Sequence, residues 1–374
     1  MNGTFSRAYG SPMRYIQGPG EIENLALHAA QYGSFAYVLI DSFIFEGIKA
    51  RLDGIFAGSD VRFHAARFGG ESSQEEVDKA LAEIATLGAD LIIGLGGGKT
   101  IDTTKLIADH CGIPRIIMPS SASTDAPTAG LAGLYRPDGV QICAIKTKRN
   151  SELVLLDTEI IVNAPARLFS AGMGDALATW FEARANWASL TPNYIGNGYR
   201  PTRAAMAIAR ECSEILFEDG RGALAAVKQH LITEEVENVI EANTLLSGLG
   251  FENTGCAAAH GIHAGLSEMD ADHRDHGFHG EKVAFSILAM MVIENTPQEE
   301  MDRTIRFLMD IDLPVTLEQL NIEPTDENLD KIVDHTVNHN NLIHHEPHII
   351  SEKLVKHAIL AANAIGHSYL DGRA

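Results

Sequence analysis

Basic residues are scarce in this 374-residue chain, which has 29 lysines and arginines against 50 aspartates and glutamates and so a net charge of −21. A broadly negative surface repels polyphosphates, which argues against a nucleic-acid partner and against an acidic membrane surface. Any phosphate group that the protein binds must therefore be held locally, by backbone amides or by a few lysines.

Cysteine is also rare, and its spacing argues against two further kinds of protein. No CxxC pair occurs, so the sequence suggests neither a structural zinc ribbon nor a disulfide framework. We expect the four cysteines to be buried, reduced thiols. They are Cys111, Cys143, Cys212 and Cys256.

Long apolar runs are missing as well. No stretch of 18 uncharged apolar residues occurs, and the first thirty residues lack a basic start followed by an apolar run. Neither a membrane span nor a secretory leader is therefore predicted, and we expect a cytoplasmic protein. The hydrophobic content of 45% indicates a globular protein, and the length favours two domains.

Residues 34 to 160 alternate β-branched and apolar runs with helical patterns, which is typical of parallel βαβ units. The most informative unit has a predicted strand, Leu91 to Leu95, that runs into Gly96-Gly97-Gly98-Lys99-Thr100 and then directly into a helix. Glycines at such a turn let backbone N–H groups approach a diphosphate. We favour a dinucleotide as the ligand, although the spacing is not GxGxxG. The full pattern GxxxxGK[ST] is also missing, which argues against the phosphate loop of a nucleotide triphosphatase. A purely structural turn is the alternative.

Two other strand ends carry polar candidates. Asp41 closes an earlier strand, where a carboxylate can accept hydrogen bonds from an adenosine ribose and repel a 2′-phosphate, which favours NAD over NADP. Its alternative role is to cap a helix beginning near Phe43. A later strand leads into residues 120–127, whose small hydroxyl residues surround Asp125. This loop suits contact with a flat ring, and it suits an ordinary turn nearly as well.

The pattern changes after Pro165, where alternation gives way to alanine-rich and leucine-rich helical stretches. These predicted helices lie near 171–190, 201–217, 222–249, 253–267, 280–295 and 350–368. The change near residue 163 predicts an α/β domain over residues 1–162 and an all-helical domain over residues 163–374.

Histidines are concentrated between residues 256 and 285, which hold five of the chain's 16. His260 and His263 are three residues apart in a helical segment, so they share a face. Asp175 lies among small and apolar residues, where a buried carboxylate needs a partner or a metal. One carboxylate with two histidines leaves a tetrahedral zinc with an open position, as catalysis requires. A solvated loop with some core histidines is the alternative.

A later histidine group is a rival metal site. It could form a second wall of a cleft, but we favour a solvated loop with helix-end histidines. The members are His335, His339, His344, His345 and His348.

Several ordered segments, spread over most of the chain, resemble the iron-containing, or group III, alcohol dehydrogenase family in its glycerol dehydrogenase branch. They are GGGKTIDTTK (96–105), ASTDAP (122–127), AGMGDALATWFEARA (171–185), IEANTLLSGLGFE (240–252), AAAHGIH (257–263) and HGEKVAF (279–285). The resemblance implies a Rossmann-like parallel-sheet domain followed by a helical domain, an architecture shared with dehydroquinate synthase. It also implies NAD and a metal, usually zinc, with iron or manganese as alternatives.

The resemblance assigns roles to individual residues. The implied metal ligands are Asp175, His260 and His279, and His263 is placed beside them or facing the substrate. His273 and His276 become loop residues at the mouth of the cleft.

The implied cofactor set lies in the first domain. Gly96, Gly97 and Gly98 form the diphosphate turn, with Lys99 and Asp102 from the same motif, and Asp41 lies where the family has its ribose-binding acid. Thr124 and Asp125 are placed beside the nicotinamide and the substrate.

The implied reaction is reversible, NAD-dependent oxidation of a small polyol, with glycerol to dihydroxyacetone as the leading case. Hydride would leave an alkoxide held by the metal, with Asp125 or His263 as candidates to accept the proton. A homo-oligomer, an octamer or a dimer, is expected.

Three departures from the family pattern leave the substrate open. The segment between His263 and His279 is long and charged, and the loop at 341–349 differs from the expected one. The end of the predicted ribbon carries Lys146, Lys148 and Arg149, where the family is often less basic. The last feature supports an alternative, a glycerol-1-phosphate dehydrogenase or a sugar-phosphate cyclase. A histidine-rich metal-binding protein is the non-enzymatic alternative.

Overall fold

The computed structural model describes residues 5–137, 139, 141–272 and 275–373, and these residues form two units. The α/β unit contains Gly10–Pro165 with His230–Ile232. The helical unit contains Ala166–Gln229 and the chain from Thr233 onward, together with the described residues up to Tyr9.

The α/β unit has a six-stranded, wholly parallel sheet and a separate two-stranded antiparallel ribbon. The sheet order is β1-β8-β5-β4-β2-β3, and β6 pairs with β7 in the ribbon. The strands are β1 Tyr15–Gly18, β2 Phe35–Ile40, β3 Arg62–Arg67, β4 Leu91–Gly96, β5 Arg115–Pro119, β6 Leu131–Tyr135, β7 Gln141–Lys146 and β8 Leu153–Asp157.

Five helices belong to the α/β unit and nine to the helical unit, counted over the residues that the structure describes. The first five are α1 Leu25–Ala29, α2 Phe45–Ile55, α3 Gln74–Leu87, α4 Gly98–Cys111 and α5 Thr158–Val162. The others are α6 Ala166–Ser189, α7 Arg203–Val227, α8 Glu234–Glu241, α9 Ser247–Thr254, α10 Ala258–Leu266, α11 His279–Ile293, α12 Gln298–Asp310, α13 Asp326–Asp334 and α14 Glu352–Leu370. Short π-helical segments, Ala242–Leu246 and His335–His339, continue α8 and α13.

The sheet is covered on both faces, as its uninterrupted apolar strands predict. Successive residues of β2 enter opposite cores: Val38 and Ile40 pack in one apolar cluster, whereas Tyr37 and Leu39 pack in the other. The parallel sheet in the first half and the helices in the second confirm the predicted fold class.

The order of strands changes direction at the ends of β2 and β4. From β4 the chain continues to β5 on one side, while β2 leads to β3 on the other. In open α/β sheets, ligands bind beyond the carboxyl ends of the strands at this change of direction. Asp41 follows β2 directly, and Gly96 ends β4.

One predicted helix boundary is wrong. The expected break between residues 217 and 222 is absent, because α7 continues through Gly220 to Val227. A Cβ on Gly220 would lie 2.9 Å from the ring of Phe307, so packing explains this glycine. The chain breaks after α7, and Thr233 then caps α8 by accepting a hydrogen bond from the Val236 N–H.

Among the described residues, no helix is both long enough and apolar enough to cross a membrane.

Candidate functional site

Two helices of the helical unit, α6 and α11, meet backbone to backbone. A Cβ on Gly280 would lie 1.8 Å from the carbonyl oxygen of Ala171, and one on Gly174 would lie 2.4 Å from the carbonyl oxygen of Gly280. Both positions therefore require glycine. Because Asp175 follows Gly174 and His279 precedes Gly280, this contact brings a carboxylate and an imidazole together.

A third side chain, from α10, joins them. His279 Nε2 lies 3.0 Å and His260 Nε2 lies 3.3 Å from the same oxygen, Asp175 Oδ1. The exposed fraction of the side chain rises from 1% at Asp175 to 14% at His260 and 40% at His279. The structure thus brings together the three residues predicted as metal ligands, with one side of the group open to solvent.

The electrostatics of this cluster favour a carboxylate anion. Burial raises the pKa of Asp175, but the charge of His279 and the hydrogen bond from His260 outweigh it and hold that pKa well below its usual value. Burial lowers the pKa of His260, whereas neighbouring Cys256 and Glu182 raise it well above normal.

The donor set fits a divalent metal for a reason of proton count. His260 Nδ1 lies 2.7 Å from Glu182 Oε2, so Nδ1 carries the proton that this carboxylate accepts. Because the pKa of His260 is raised, the ring without a metal also carries a proton on Nε2, between that nitrogen and Asp175 Oδ1. A divalent cation can take the place of this proton, since Nε2 and the carboxylate oxygen then both face it with lone pairs. A carboxylate with two imidazoles is a zinc-type ligand set that leaves a coordination position for a substrate oxygen.

His263 lies next to this group without joining it. Its ring centroid is 4.1 Å from that of His279, and its Nε2 is 3.4 Å from Ser267 Oγ. Burial, with the neighbouring charges of His279 and His260, lowers the pKa of His263 well below its usual value.

His276 was expected in a loop at the mouth of the cleft, but the structure places its side chain in the interior. It is buried, with 2% of its surface exposed, and its Nδ1 lies 3.1 Å from the carbonyl oxygen of Leu320. The loop that carries it folds back onto the helical unit, which the sequence pattern did not indicate. His273 lies outside the described residues.

The late histidine group does not form a metal cluster in the described part of the chain. His335 pairs with Glu268 at 2.9 Å and His339 with Asp334 at 3.3 Å, both near the surface. Among the described residues, two sets of His, Cys, Asp and Glu side chains are close enough to hold a metal, and neither includes a late histidine. They are Asp175 with His260 and His279, and Glu182 with Cys256 and His260.

In the α/β unit, the glycine-rich turn joins a strand end to a helix start. Gly96 ends β4, where a Cβ would lie 2.8 Å from the Cβ atoms of Asp41 and Thr100, and Gly97 is the N-cap of α4. Gly98 is the first residue of that helix. Backbone N–H groups and the positive end of the helix dipole are therefore presented at the carboxyl edge of the sheet.

Asp41 lies beside this turn and does not cap a helix. Its Oδ1 accepts a hydrogen bond from the Phe43 N–H at 3.0 Å, and its Oδ2 lies 3.4 Å from the Thr100 hydroxyl. Helix α2 begins only at Phe45, with Ile44 as its N-cap.

Lys99 and Asp102 both interact with the protein itself. Lys99 Nζ lies 2.5 Å from Glu71 Oε2, and Asp102 Oδ2 accepts the Gly133 N–H at 2.9 Å. Asp102 thereby ties α4 to the ribbon.

The loop that contains Thr124 and the half-buried Asp125 is fixed by a lysine that sequence reasoning missed. Lys105, fully buried on α4, donates to the carbonyl oxygens of Ala126 and Leu131, the second at 2.7 Å. Thr124 Oγ1 accepts the Ala126 N–H at 3.2 Å and lies 3.6 Å from where a Cβ on Gly98 would be.

The sequence from residue 12 to residue 158 matches the model of a family described as iron-containing alcohol dehydrogenase. A glycerol dehydrogenase of Thermotoga maritima is 40% identical over 357 residues, covering 95% of this chain and 96% of the relative. A glycolaldehyde reductase of Halobacterium salinarum is 36% identical, covering 97% and 99%. The fold also matches the crystal structure of a probable glycerol dehydrogenase from Sinorhizobium meliloti 1021 with a TM-score of 0.91. The two sequences are 42% identical, and the match covers 97% of this chain and all of the other.

Proposed function

We propose, from the premise that this chain belongs to the iron-containing alcohol dehydrogenase family, that it oxidises a small polyol with NAD in a metal-dependent reaction. The family match and the similarity to glycerol dehydrogenases confirm the predicted family and the prediction that the chain is an oxidoreductase. The observation that carries the mechanism is the convergence of Asp175, His260 and His279 on one point of the helical unit.

The helical unit is proposed to hold the metal and the alcohol. Asp175, His260 and His279 supply one oxygen and two nitrogens, and the exposed side at His279 gives access to the substrate. These residues would hold a divalent ion, and the chemistry supplied there would be Lewis-acid stabilisation of negative charge on the substrate oxygen. We favour zinc, because the set of one carboxylate and two imidazoles suits it, with iron or manganese as alternatives.

The α/β unit is proposed to hold NAD. The amides of the turn Gly96–Gly98 and the start of α4 suit the diphosphate, and Asp41 suits the ribose hydroxyls and disfavours a 2′-phosphate. Thr124 and Asp125 are proposed to lie beside the nicotinamide, which accepts the hydride. Lys99 and Asp102 support this site, Lys99 through Glu71 and Asp102 through Gly133.

Oxidation of a secondary alcohol by NAD releases one proton for each hydride transferred. His263 is proposed to accept it, since its ring lies against that of His279. Asp125 is the alternative acceptor.

Glycerol, oxidised reversibly to dihydroxyacetone, is the proposed substrate, because proteins named glycerol dehydrogenase are similar to this chain over nearly its whole length. The glycolaldehyde reductase among its relatives makes reduction of a small hydroxyaldehyde the second candidate.

A phosphorylated substrate is less well supported, because two of the three basic residues that suggested it interact with the protein itself. Lys148 Nζ lies 3.3 Å from the Asp109 carbonyl oxygen and 3.7 Å from its carboxylate, and Arg149 donates to the carbonyl oxygen of Ile113 at 2.6 Å while pairing with Glu152 at 3.2 Å. These cations brace the end of α4.

Two further features are proposed. The four cysteines are free thiols, which supports a reducing compartment, the cytoplasm. Only Cys212 and Cys256 are buried as expected, whereas Cys143 is exposed and Cys111 is partly exposed. A homo-oligomer, an octamer or a dimer, stays a prediction.

The proposal is tested by measuring NADH formation on a panel of polyols, their phosphates and their aldehydes, after removal of metal and addition of zinc, iron or manganese. We expect glycerol with zinc to give the highest kcat/KM among the oxidations. Turnover that is selective for a phosphorylated alcohol, or that survives complete metal removal, would contradict it.

A further inference from the structure

Helix α6 presents two carboxylates to opposite sides of one imidazole. Asp175 and Glu182 are seven residues, or about two helical turns, apart and therefore lie on the same face of the helix. Asp175 Oδ1 lies 3.3 Å from His260 Nε2, and Glu182 Oε2 lies 2.7 Å from His260 Nδ1. The His260 ring is thus held between a proposed metal ligand and a second acid that the metal site does not use.

Glu182 is buried and accepts hydrogen bonds on both of its oxygens. Only 1% of its side chain is exposed. Its Oε1 accepts the backbone N–H groups of Ala257 and His260, each at 2.8 Å, and its Oε2 faces the His260 ring. The carboxylate therefore fixes both the start of α10 and the imidazole that this helix carries.

We propose that Glu182 is a positioning residue for the metal, because it holds His260 as the Nδ1–H tautomer with the Nε2 lone pair directed toward Asp175 and His279. This inference rests on the proposed function, since it takes the metal to bind at those three residues. A carboxylate that accepts the second N–H of a ligating histidine fixes the ring orientation, and its loss typically weakens metal binding about 10-fold to 100-fold.

The glutamine substitution separates this role from helix capping. A glutamine side chain has one acceptor oxygen and one donor nitrogen, whereas Glu182 accepts on both oxygens. In E182Q, either the backbone N–H groups or the His260 ring must face a donor. If the glutamine NH2 faces the ring, Nδ1 must accept that hydrogen bond. The ring proton then moves to Nε2, where it blocks the lone pair that would bind the metal.

Glu346 provides a matched control at the same helix start. It is also buried, with 4% of its surface exposed, and its Oε1 accepts the Ala258 N–H at 3.1 Å. Its Oε2 has no hydrogen-bond partner in the described part of the chain. E346Q can therefore keep the one hydrogen bond that Glu346 makes.

The test is a zinc titration of metal-stripped wild type, E182Q and E346Q in competition with a chelating indicator. We expect E182Q to bind zinc about 10-fold to 100-fold more weakly, and E346Q to remain within about twofold of wild type. In cobalt-loaded protein, the visible ligand-field bands of E182Q should differ from those of wild type, whereas those of E346Q should not.

Three results would overturn the inference. Zinc affinity of E182Q within twofold of wild type would show that Glu182 does not position the ligand, and equal losses in E182Q and E346Q would show only support of the helix. In a His260→Ala background, a further tenfold loss on adding E182Q would show that Glu182 does not act through that ring. If E182Q does not fold, Glu182→Ala takes its place, with the same expected loss.

Failure of the two proposals can be told apart. If the wild type does not bind zinc, the proposed metal site is wrong, and the inference falls with it. If the wild type and E182Q bind zinc equally, only the inference is wrong.

Discussion

At the scale of single residues, the chemistry of the site depends on one carboxylate that two imidazoles face. Asp175 is almost fully buried, and both His260 Nε2 and His279 Nε2 lie within 3.3 Å of its Oδ1. A buried anion is costly unless cations or donors compensate it. Removing its charge should therefore disable the metal site without affecting the α/β unit, where we place NAD.

The variant Asp175→Asn should lower kcat for glycerol at least about 100-fold and leave the dissociation constant of NAD within about twofold, because it removes an anionic metal ligand. Steady-state kinetics and a fluorescence titration with NAD measure the two effects. Asp334→Asn, at an exposed carboxylate that also pairs with a histidine, is the control and should change neither. Equal loss of turnover and NAD binding in Asp175→Asn would indicate misfolding instead.

Glu346 should make stability depend on pH. Burial, with the nearby charge of Glu294, raises its pKa from 4.5 to about 8. Because the folded state then holds a proton that the unfolded state has lost, its contribution is fully present below about pH 4.5 and is lost as pH rises toward 8. One pKa unit corresponds to about 1.36 kcal/mol, so the loss amounts to a few kcal/mol.

The variant Glu346→Gln removes this titration. Its free energy of unfolding relative to wild type should therefore increase between pH 5 and pH 8, as urea unfolding at several pH values would measure. Glu299→Gln, at an exposed position on α12, serves as the control. A difference between Glu346→Gln and wild type that stays constant over this range would show that Glu346 is ionised in the folded protein.

At the scale of elements, the site depends on the close approach of α6 and α11. Gly280→Ala would place a Cβ 1.8 Å from the Ala171 carbonyl oxygen, so the helices must separate. We expect the free energy of unfolding of the metal-free protein to fall by about 1–3 kcal/mol, because the added methyl group overpacks the contact. Zinc binding should also weaken, because Asp175 and His279 move apart.

The matched control is Gly54→Ala on α2, an exposed position where a Cβ would have no atom within 4 Å. This change should be neutral or stabilising by less than about 1 kcal/mol. Urea unfolding of metal-stripped protein compares the two variants. A Gly280→Ala protein as stable as wild type would show that the two helices are not held in contact by that glycine.

Local patterns predicted a central strand and several helices of this chain. The strand predicted from Leu91 to Leu95 agrees with β4 to within a residue, and the helices predicted near 280–295 and 350–368 agree with α11 and α14 to within two residues. Apolar runs and helical periodicity are properties of neighbouring residues, which is why local sequence predicts them. The break inside α7 was predicted wrongly, because the reason for Gly220 lies on α12, where Phe307 packs against it.

The partners of the site residues are distant in sequence. Glu182 contacts His260 across 78 residues, and no periodicity within α6 indicates which ring it faces. The motif that contains Asp175 also contains Glu182, seven residues later, and this repeat of a buried acid on one helix face is the signal that could have identified it. Glu71, the partner of Lys99, follows a glycine pair in another loop and gives no such signal.

At the scale of the whole molecule, each unit has a distinct proposed task, with NAD in the α/β unit and the metal with the alcohol in the helical unit. Removing the metal should therefore affect turnover and not NAD binding. A histidine-rich storage protein would have no need for a glycine turn at the carboxyl edge of a parallel sheet, and would not depend on NAD for any property.

The most direct test of the account is the rate of glycerol-dependent NADH formation by metal-stripped protein, measured before and after one equivalent of zinc per chain. We expect a rate near zero before addition and restoration of activity in the wild type, but not in Asp175→Asn. Equal rates with and without bound metal, or full restoration in Asp175→Asn, would contradict the assignment of Asp175, His260 and His279 as the metal site of a polyol dehydrogenase.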